Sequence, residues 1–201
     1  MLRSIVYFQL LLVYHIGVGQ LSKESWHDGF LVTVQQDTLT GQVNYDMETN
    51  MVQIANGNSI KAYSAYKAFY FEIFDNVYHS YRQFYTIPYN LRSSYETPVI
   101  FELLYEGGLS LLAREKIVQE TVTSSNPFWA GGPRIVQNSV DYNFFFLDKK
   151  GNITYFGGSK NDLLQVMHSK KEKVKEFMRS NRLQTNELKD LIRITSFYYS
   201  I

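Results

Sequence analysis

The stretch MVQIANGNSIKAY, residues 51–63, indicates the fold class because it is typical of a β-hairpin. Two β-like runs flank the pair Asn56-Gly57. Asn-Gly is the strongest short hairpin signal, since a type I′ turn needs a positive φ at both central residues. The stretch therefore predicts two antiparallel strands joined by a tight turn.

Similar patterns continue on both sides of this stretch. Further hairpins are predicted at residues 30–46 with a turn near Gln36-Asp37-Thr38, 99–120 with a turn at Gly107-Gly108, and 142–156 with a turn at residues 149–152. Single strands are predicted at residues 68–76 and 83–89. The total is about eight or nine strands, with no crossover helix between them, which favours an antiparallel meander. A sandwich or a partly closed barrel is expected, because closure removes exposed strand edges.

The composition changes near residue 158, and this change divides the chain. Tyr, Phe, Val and Ile dominate before it, whereas Lys, Glu, Leu and Met follow and are better helix formers. Apolar residues at helical spacing predict three short helices, around residues 163–167, 174–178 and 188–195. The predicted class is α+β, mainly β, with an antiparallel β domain at residues 20–158. A C-terminal helical segment, residues 159–201, is expected to pack on that domain.

The N-terminus, residues 1–19, is typical of a secretory signal peptide. Arg3 precedes an apolar run from Ile5 to Ile16, and the run ends in small residues. An uncleaved anchor or a buried first helix is the alternative. We expect cleavage after Gly19, and export to the periplasm, the outer membrane or the cell surface. The chain has no Cys, so packing rather than disulfides must stabilise it.

The Gly157-Gly158-Ser159-Lys160 sequence lies between a predicted strand and a predicted helix. This layout resembles a phosphate-binding loop, but the spacing of a P-loop is absent and no hydroxyl follows Lys160. Ser159 is instead expected to cap the helix N-terminus, with Asp162 three residues later. The glycines then serve the turn from strand to helix.

The other polar residues give no catalytic or metal-binding pattern. His27, His79 and His168 are scattered without ligand spacing, and no cofactor is expected. Glu102 and Glu106 lie on one predicted strand, and a solvated strand face is expected for both. A net charge of +1 gives no global reason to bind nucleic acid, and no later segment is long and apolar enough for a transmembrane helix.

The most unusual stretch is TSSNPFWAGGPRIVQNS, residues 123–139. Long loops in compact domains are usually functional or disordered. Phe128, Trp129 and Arg134 are the predicted binding residues of this stretch. Two interpretations of Trp129 stay open: it plugs the open end of the sheet, or it contacts a partner or ligand.

Several segments together resemble an uncharacterised family of exported β-rich proteins from Bacteroidota-type Gram-negative bacteria. The resemblance is carried by WHDGFLVTVQQDTLTGQVNYDMETNMVQI (26–54), AYSAYKAFYFEIFD (62–75), YRQFYTI (81–87), FELLYEGGLSLLAREK (101–116) and the ending DLIRITSFYYSI (190–201). It implies export and a β-rich fold. No activity is known for the family, so it implies no catalytic residue.

Two hypotheses on function follow from these patterns. The first is an exported envelope protein that acts as a non-enzymatic binding or structural module, with an envelope protein or a surface ligand as its partner. The second is a periplasmic or secreted hydrolase with a site assembled across strands. Two carboxylates within ~5–10 Å of each other in a cleft would favour the hydrolase.

Overall fold

The computed structural model describes residues 26–91, 94–123 and 134–201. Ten strands occupy most of this range. They are β1 (His27–Thr33), β2 (Thr38–Asp46), β3 (Met51–Asn56), β4 (Ser59–Ser64), β5 (Ala68–Asp75), β6 (Ser80–Tyr89), β7 (Thr97–Tyr105), β8 (Leu109–Thr123), β9 (Arg134–Asp148) and β10 (Ile153–Phe156). Three α-helices follow: α1 (Lys160–Val166), α2 (Lys171–Asn181) and α3 (Leu188–Ser200), with a 3-10 turn at His168–Lys170.

The strands form one antiparallel sheet in the order β10-β9-β8-β7-β6-β5-β1-β2-β3-β4. This arrangement confirms the predicted class, an antiparallel meander followed by three C-terminal helices. The strand number is ten rather than eight or nine, and there is one sheet rather than the two of a sandwich. β10 and β4 are the edge strands, so hydrogen bonding does not close the sheet into a barrel.

The sheet nevertheless curls strongly. The Tyr45 hydroxyl on β2 donates a hydrogen bond of 3.1 Å to Glu115 on β8, although four strands separate β2 from β8 in the sheet. In a flat sheet the two strands would lie five spacings apart, roughly 24 Å. Curvature of the sheet therefore brings β2 and β8 together.

Register defines an inner face of the sheet, on which Phe71, Phe84 and Ala113 lie. On β1–β3 and β5–β7 this face carries an apolar core in which Phe71 stacks on Phe84 at 4.4 Å. On β8–β10 the inner face is covered by the three helices. Phe144, Phe145 and Phe146 are buried, because the helices cover the inner face and a separate cluster around Phe101 covers the outer face.

The turn that motivated the hairpin prediction differs from type I′ in detail. Asn56 pairs with Ser59, so the two loop residues are Gly57 and Asn58 rather than Asn56 and Gly57. Gly57 has φ +56° and is the only one of these residues with a positive φ. Glycine at the first central position is the mark of a type II′ turn. The Asn56 side chain instead donates to the carbonyl of Thr40 at 3.0 Å.

The Gly157-Gly158 segment serves the strand-to-helix turn, as predicted. The Ser159 hydroxyl accepts a hydrogen bond of 3.1 Å from the backbone N–H of Asp162 and caps α1. Gly158 has φ +85°, a value that favours glycine. Among the described residues, no helix has the length and apolarity needed to cross a membrane.

Candidate functional site at the turn–arm junction

The β8–β9 hairpin separates from the rest of the sheet partway along its length. β8 pairs with β7 only as far as Ala113, opposite Glu102. β9, however, follows β8 through fifteen consecutive pairs out to Thr123 and Arg134. We call residues 114–123 and 134–143 the arm, and the point where β8 leaves β7 the fork.

The turn between β2 and β3, residues 47–50, is inserted into this fork. Asn50 Oδ1 accepts hydrogen bonds from the backbone N–H of Ile100 at 3.1 Å and from Arg114 Nη1 at 2.9 Å. Arg114 also donates to the carbonyl oxygens of Ile100 and Met47. The guanidinium thus joins the turn to β7 at the position where β8 has stopped pairing with it.

Burial makes this junction rigid rather than adaptable. Arg114 is 5% exposed, and its guanidinium lies 5.7 Å from the centre of the Phe101 ring. Since the hydrogen bonds of a buried guanidinium replace those it would make with water, losing them is costly. No local sequence pattern predicts this contact, because Arg114 and Met47 are 67 residues apart.

A second buried cluster lies next to the fork on the inner face and centres on Arg82. Its Nε and Nη2 atoms donate to the two oxygens of Glu102, each at 2.7 Å, which is a bidentate pair. Nη2 also donates to Glu115 at 2.6 Å, and Nη1 to Asp75 at 3.2 Å. One cation therefore holds three carboxylates, and Glu115 connects this cluster to the Tyr45 hydroxyl.

The surroundings of the carboxylates shift their pKa values in opposite directions. Burial raises the pKa of Glu102, although its bonds with Arg82 oppose the change. Burial would also raise the pKa of Asp75, but two backbone N–H groups of the following turn and Arg82 together lower it. Burial raises the pKa of Tyr45 well above its ordinary value, so its hydroxyl stays protonated and donates to Glu115.

The expectation of a solvated face for Glu102 and Glu106 is wrong for Glu102. Glu106 is exposed beyond the end of β7, whereas Glu102 is 5% exposed. Arg82 lies two residues before Phe84, and Glu102 two residues after Ile100. Strand alternation therefore places each charged side chain on the same face as a core residue, but it does not indicate that this face is covered.

Two grooves flank the contact between the turn and the arm. The outer groove has a volume of about 410 Å³ and the inner groove about 330 Å³. Both are lined by Glu48, Glu115, Lys116 and Ile117, so they lie on opposite sides of the same contact. These volumes are at the lower end of the range of small-ligand sites.

The walls of the outer groove differ in chemistry. Tyr89, Phe145 and Tyr155 form an aromatic wall, with Tyr89 and Tyr155 each about edge-on to Phe145 at 5.5 Å. Charged and amide side chains also line this groove, among them Glu48, Lys116 and Asn143. No group of three or more metal-ligating side chains occurs within residues 26–91, 94–123 and 134–201.

Of the three binding residues predicted from sequence, only Arg134 belongs to the described part of the chain. Phe128 and Trp129 fall outside the described residues, as does the signal-peptide segment 1–19. Arg134 begins β9, and its backbone pairs with Thr123. The contact-loop and plug interpretations of Trp129 therefore both stay predictions. The structure instead brings together residues that the sequence did not nominate, at the fork and around Arg82.

No family model, curated protein or solved structure matches the chain. The resemblance to exported Bacteroidota-type proteins accordingly stays a prediction.

Proposed function

We propose that the chain is an exported envelope protein whose β domain binds a partner without transforming it. The observation that carries this proposal is the placement of two neighbouring carboxylates. Glu102 and Glu115 lie against the same Arg82 nitrogen, at 2.7 and 2.6 Å, so they are close enough to resemble a glycosidase pair. Glu115 lines both grooves, but Glu102 lines neither.

The hydrolase alternative has one observation in its favour. A general acid needs a raised pKa, and burial raises the pKa of Glu102. Both of its oxygens, however, are held by Arg82 beneath the groove walls. An acid must be within hydrogen-bond reach of the atom that it protonates. The pair therefore fits an internal ion-pair cluster better than a catalytic dyad.

The outer groove is the contact surface that we assign to a surface ligand. A groove lined by aromatic rings together with charged and amide groups suits a ligand with an apolar face and several hydroxyl groups, as a sugar ring has. Tyr155 is 55% exposed at this wall, so its ring is available for contact. Export, which the N-terminal sequence predicts, would place this groove among the carbohydrates of the envelope.

The test is binding of the labelled full chain to arrayed envelope glycans, followed by mass spectrometry of each retained glycan. We expect retention of an unchanged glycan and its loss in Tyr155→Ala. Tyr66→Ala is the matched control, because Tyr66 is 65% exposed and lines no groove at the junction. Conversion of a glycan that stops in Glu115→Gln would establish the hydrolase instead, and equal binding by both Tyr variants would remove the groove assignment.

A further inference from the structure

One edge of β9 has no neighbouring strand over ten residues of the described chain. β8 pairs with β9 along its whole length, but β10 pairs with it only at Phe144–Leu147. Residues 134–143 thus present a row of backbone N–H and C=O groups on the other side. A long free edge of this kind is a template for pairing with another strand.

This edge lacks the features that usually prevent such pairing. Natural edge strands are short, bulged, or guarded by Lys and Pro. The free edge, residues 134–143, has no Lys or Pro, and its two charged residues, Arg134 and Asp141, lie outside the central stretch 136–140. Its register with β8 has no bulge. The opposite edge of the sheet, β4, is six residues long and carries Lys61.

We propose that the free edge of β9 pairs antiparallel with the same edge of a second copy of this chain, with Asn138 on the two-fold axis. The five residues Val-Gln-Asn-Ser-Val, 136–140, have the same polarity pattern in both directions. Antiparallel pairing about Asn138 places Val136 of each copy opposite Val140 of the other. A two-fold interface must be self-complementary in this way.

The apolar side chains of the arm support the same register. Ile117 is paired with Val140 and Thr121 with Val136, so these side chains share one face of the arm. Ile117 and Val136 are each 60% exposed. A two-stranded ribbon is only marginally stable by itself, whereas three or more strands with an apolar face are stable. Pairing of two arms gives a four-stranded sheet, in which the exposed apolar side chains of the two copies lie side by side on one face.

The length of the free edge also fits. Pairing about Asn138 over residues 134–142 ends at Tyr142, and the first residue that pairs with β10 is Phe144. The strand of the second copy therefore ends where β10 begins, without displacing it. Residues 136–140 include no charged residue, so pairing over this stretch brings no like charges together.

A single cysteine tests the register, because the chain has no other. Residues directly opposite in antiparallel strands have Cα atoms ~4.5–5.5 Å apart, which is within the range of a disulfide. Asn138→Cys should therefore form a covalent dimer with oxidised glutathione, reversible by reductant. Gln119→Cys is the matched control. Gln119 lies opposite Asn138 on β8, and in the dimer the Gln119 residues of the two copies would be three strand spacings apart, ~14 Å.

A charge at the same position tests the dimer without a covalent bond. In sedimentation of the full chain, Asn138→Lys should weaken association about fivefold, because it places like charges directly opposite each other. Gln119→Lys adds the same charge to the same face and should leave association unchanged. A wild-type chain that stays monomeric at ~100 μM, or equal cross-linking of both cysteine variants, would overturn the proposal. Melting curves of each variant confirm that it is folded.

Discussion

The strands outside the arm, here called the body of the sheet, use the same antiparallel hydrogen bonding as the arm. The two regions differ in what covers their faces. In the body, Phe71 and Ile73 are at most 1% exposed beneath the curled meander. In the arm, the backbone ladder is equally regular, yet Ile117 and Val136 are each 60% exposed. Backbone pairing of β8 with β9 thus continues into the arm, whereas side-chain burial does not. Since burial rather than pairing provides most of the stability, the two regions should respond differently to the same change.

The largest difference between the two regions is expected in the unfolding free energy that is lost when an ion pair is broken. Arg82→Ala leaves three carboxylates without their shared cation, two of them on side chains under 10% exposed. Removing one partner of a buried pair costs about 3–5 kcal/mol. Lys116→Ala breaks the exposed pair with Asp141, in which the two side chains are 43% and 54% exposed. Such pairs contribute about 0–1 kcal/mol.

Urea unfolding of both variants measures this difference directly. A loss of less than about 1 kcal/mol in Arg82→Ala would contradict a buried, fully used guanidinium. The Arg82→Ala variant should also recover part of its stability on acidification, because protonation neutralises the carboxylates that it leaves unpaired.

An identical substitution in the two regions sharpens the comparison. Ile73→Val removes one methylene group from a side chain that is 0% exposed, and should cost about 0.5–1.5 kcal/mol of unfolding free energy. Ile117→Val in the arm should change it by less than about 0.5 kcal/mol. Equal losses in thermal unfolding would show that Ile117 is buried in solution. A loss that grows with protein concentration would assign this burial to a dimer through the arm, and a loss independent of concentration would assign it to contacts within one chain.

The hairpins of the body could be predicted from sequence because their signals are local. Gly107-Gly108 lies between β7 and β8, and Ser159 caps α1, as expected. The curl and the fork depend on contacts between distant residues. Tyr45 and Glu115 are 70 residues apart, and strand alternation does not reveal that the two will meet.

Glu102 shows why the candidate site was missed. Alternation predicts which residues share a face, but it does not predict which face is covered when a sheet curls. Glu102 and Ile100 share the inner face, and that face is covered there by the core around Phe84. A charged residue on it is buried and needs Arg82, which comes from a separate strand.

Within the Arg82 cluster, pH should act on two carboxylates with opposite signs. The folded pKa of Asp75 is lowered, so its contribution is complete above its unfolded pKa and is lost as the pH falls. The folded pKa of Glu102 is raised, so its contribution is complete at low pH and declines as the pH rises above its unfolded value.

Two variants make this difference measurable. As the pH rises toward about 4, the stability of the wild type should increase relative to Asp75→Asn; as the pH rises further, above about 4.3, it should decrease relative to Glu102→Gln. Urea unfolding at a series of pH values gives both slopes. Two slopes of the same sign would contradict opposite pKa shifts of Asp75 and Glu102.

Removal of the outer arm should have the smallest effect on the body. Val118 pairs with Ser139, so an Asn-Gly turn that replaces residues 119–138 closes the shortened hairpin in register. Residues 119–121 and 136–138 are exposed, and their loss should change the free energy of unfolding by less than about 1 kcal/mol. The same deletion removes Trp129, whose two interpretations make different predictions. If Trp129 plugs the open end of the sheet, the deletion should cost about 3–5 kcal/mol, as loss of a buried Trp does. A melting curve that matches the wild type would contradict the plug interpretation and leave partner contact as the interpretation to test by binding.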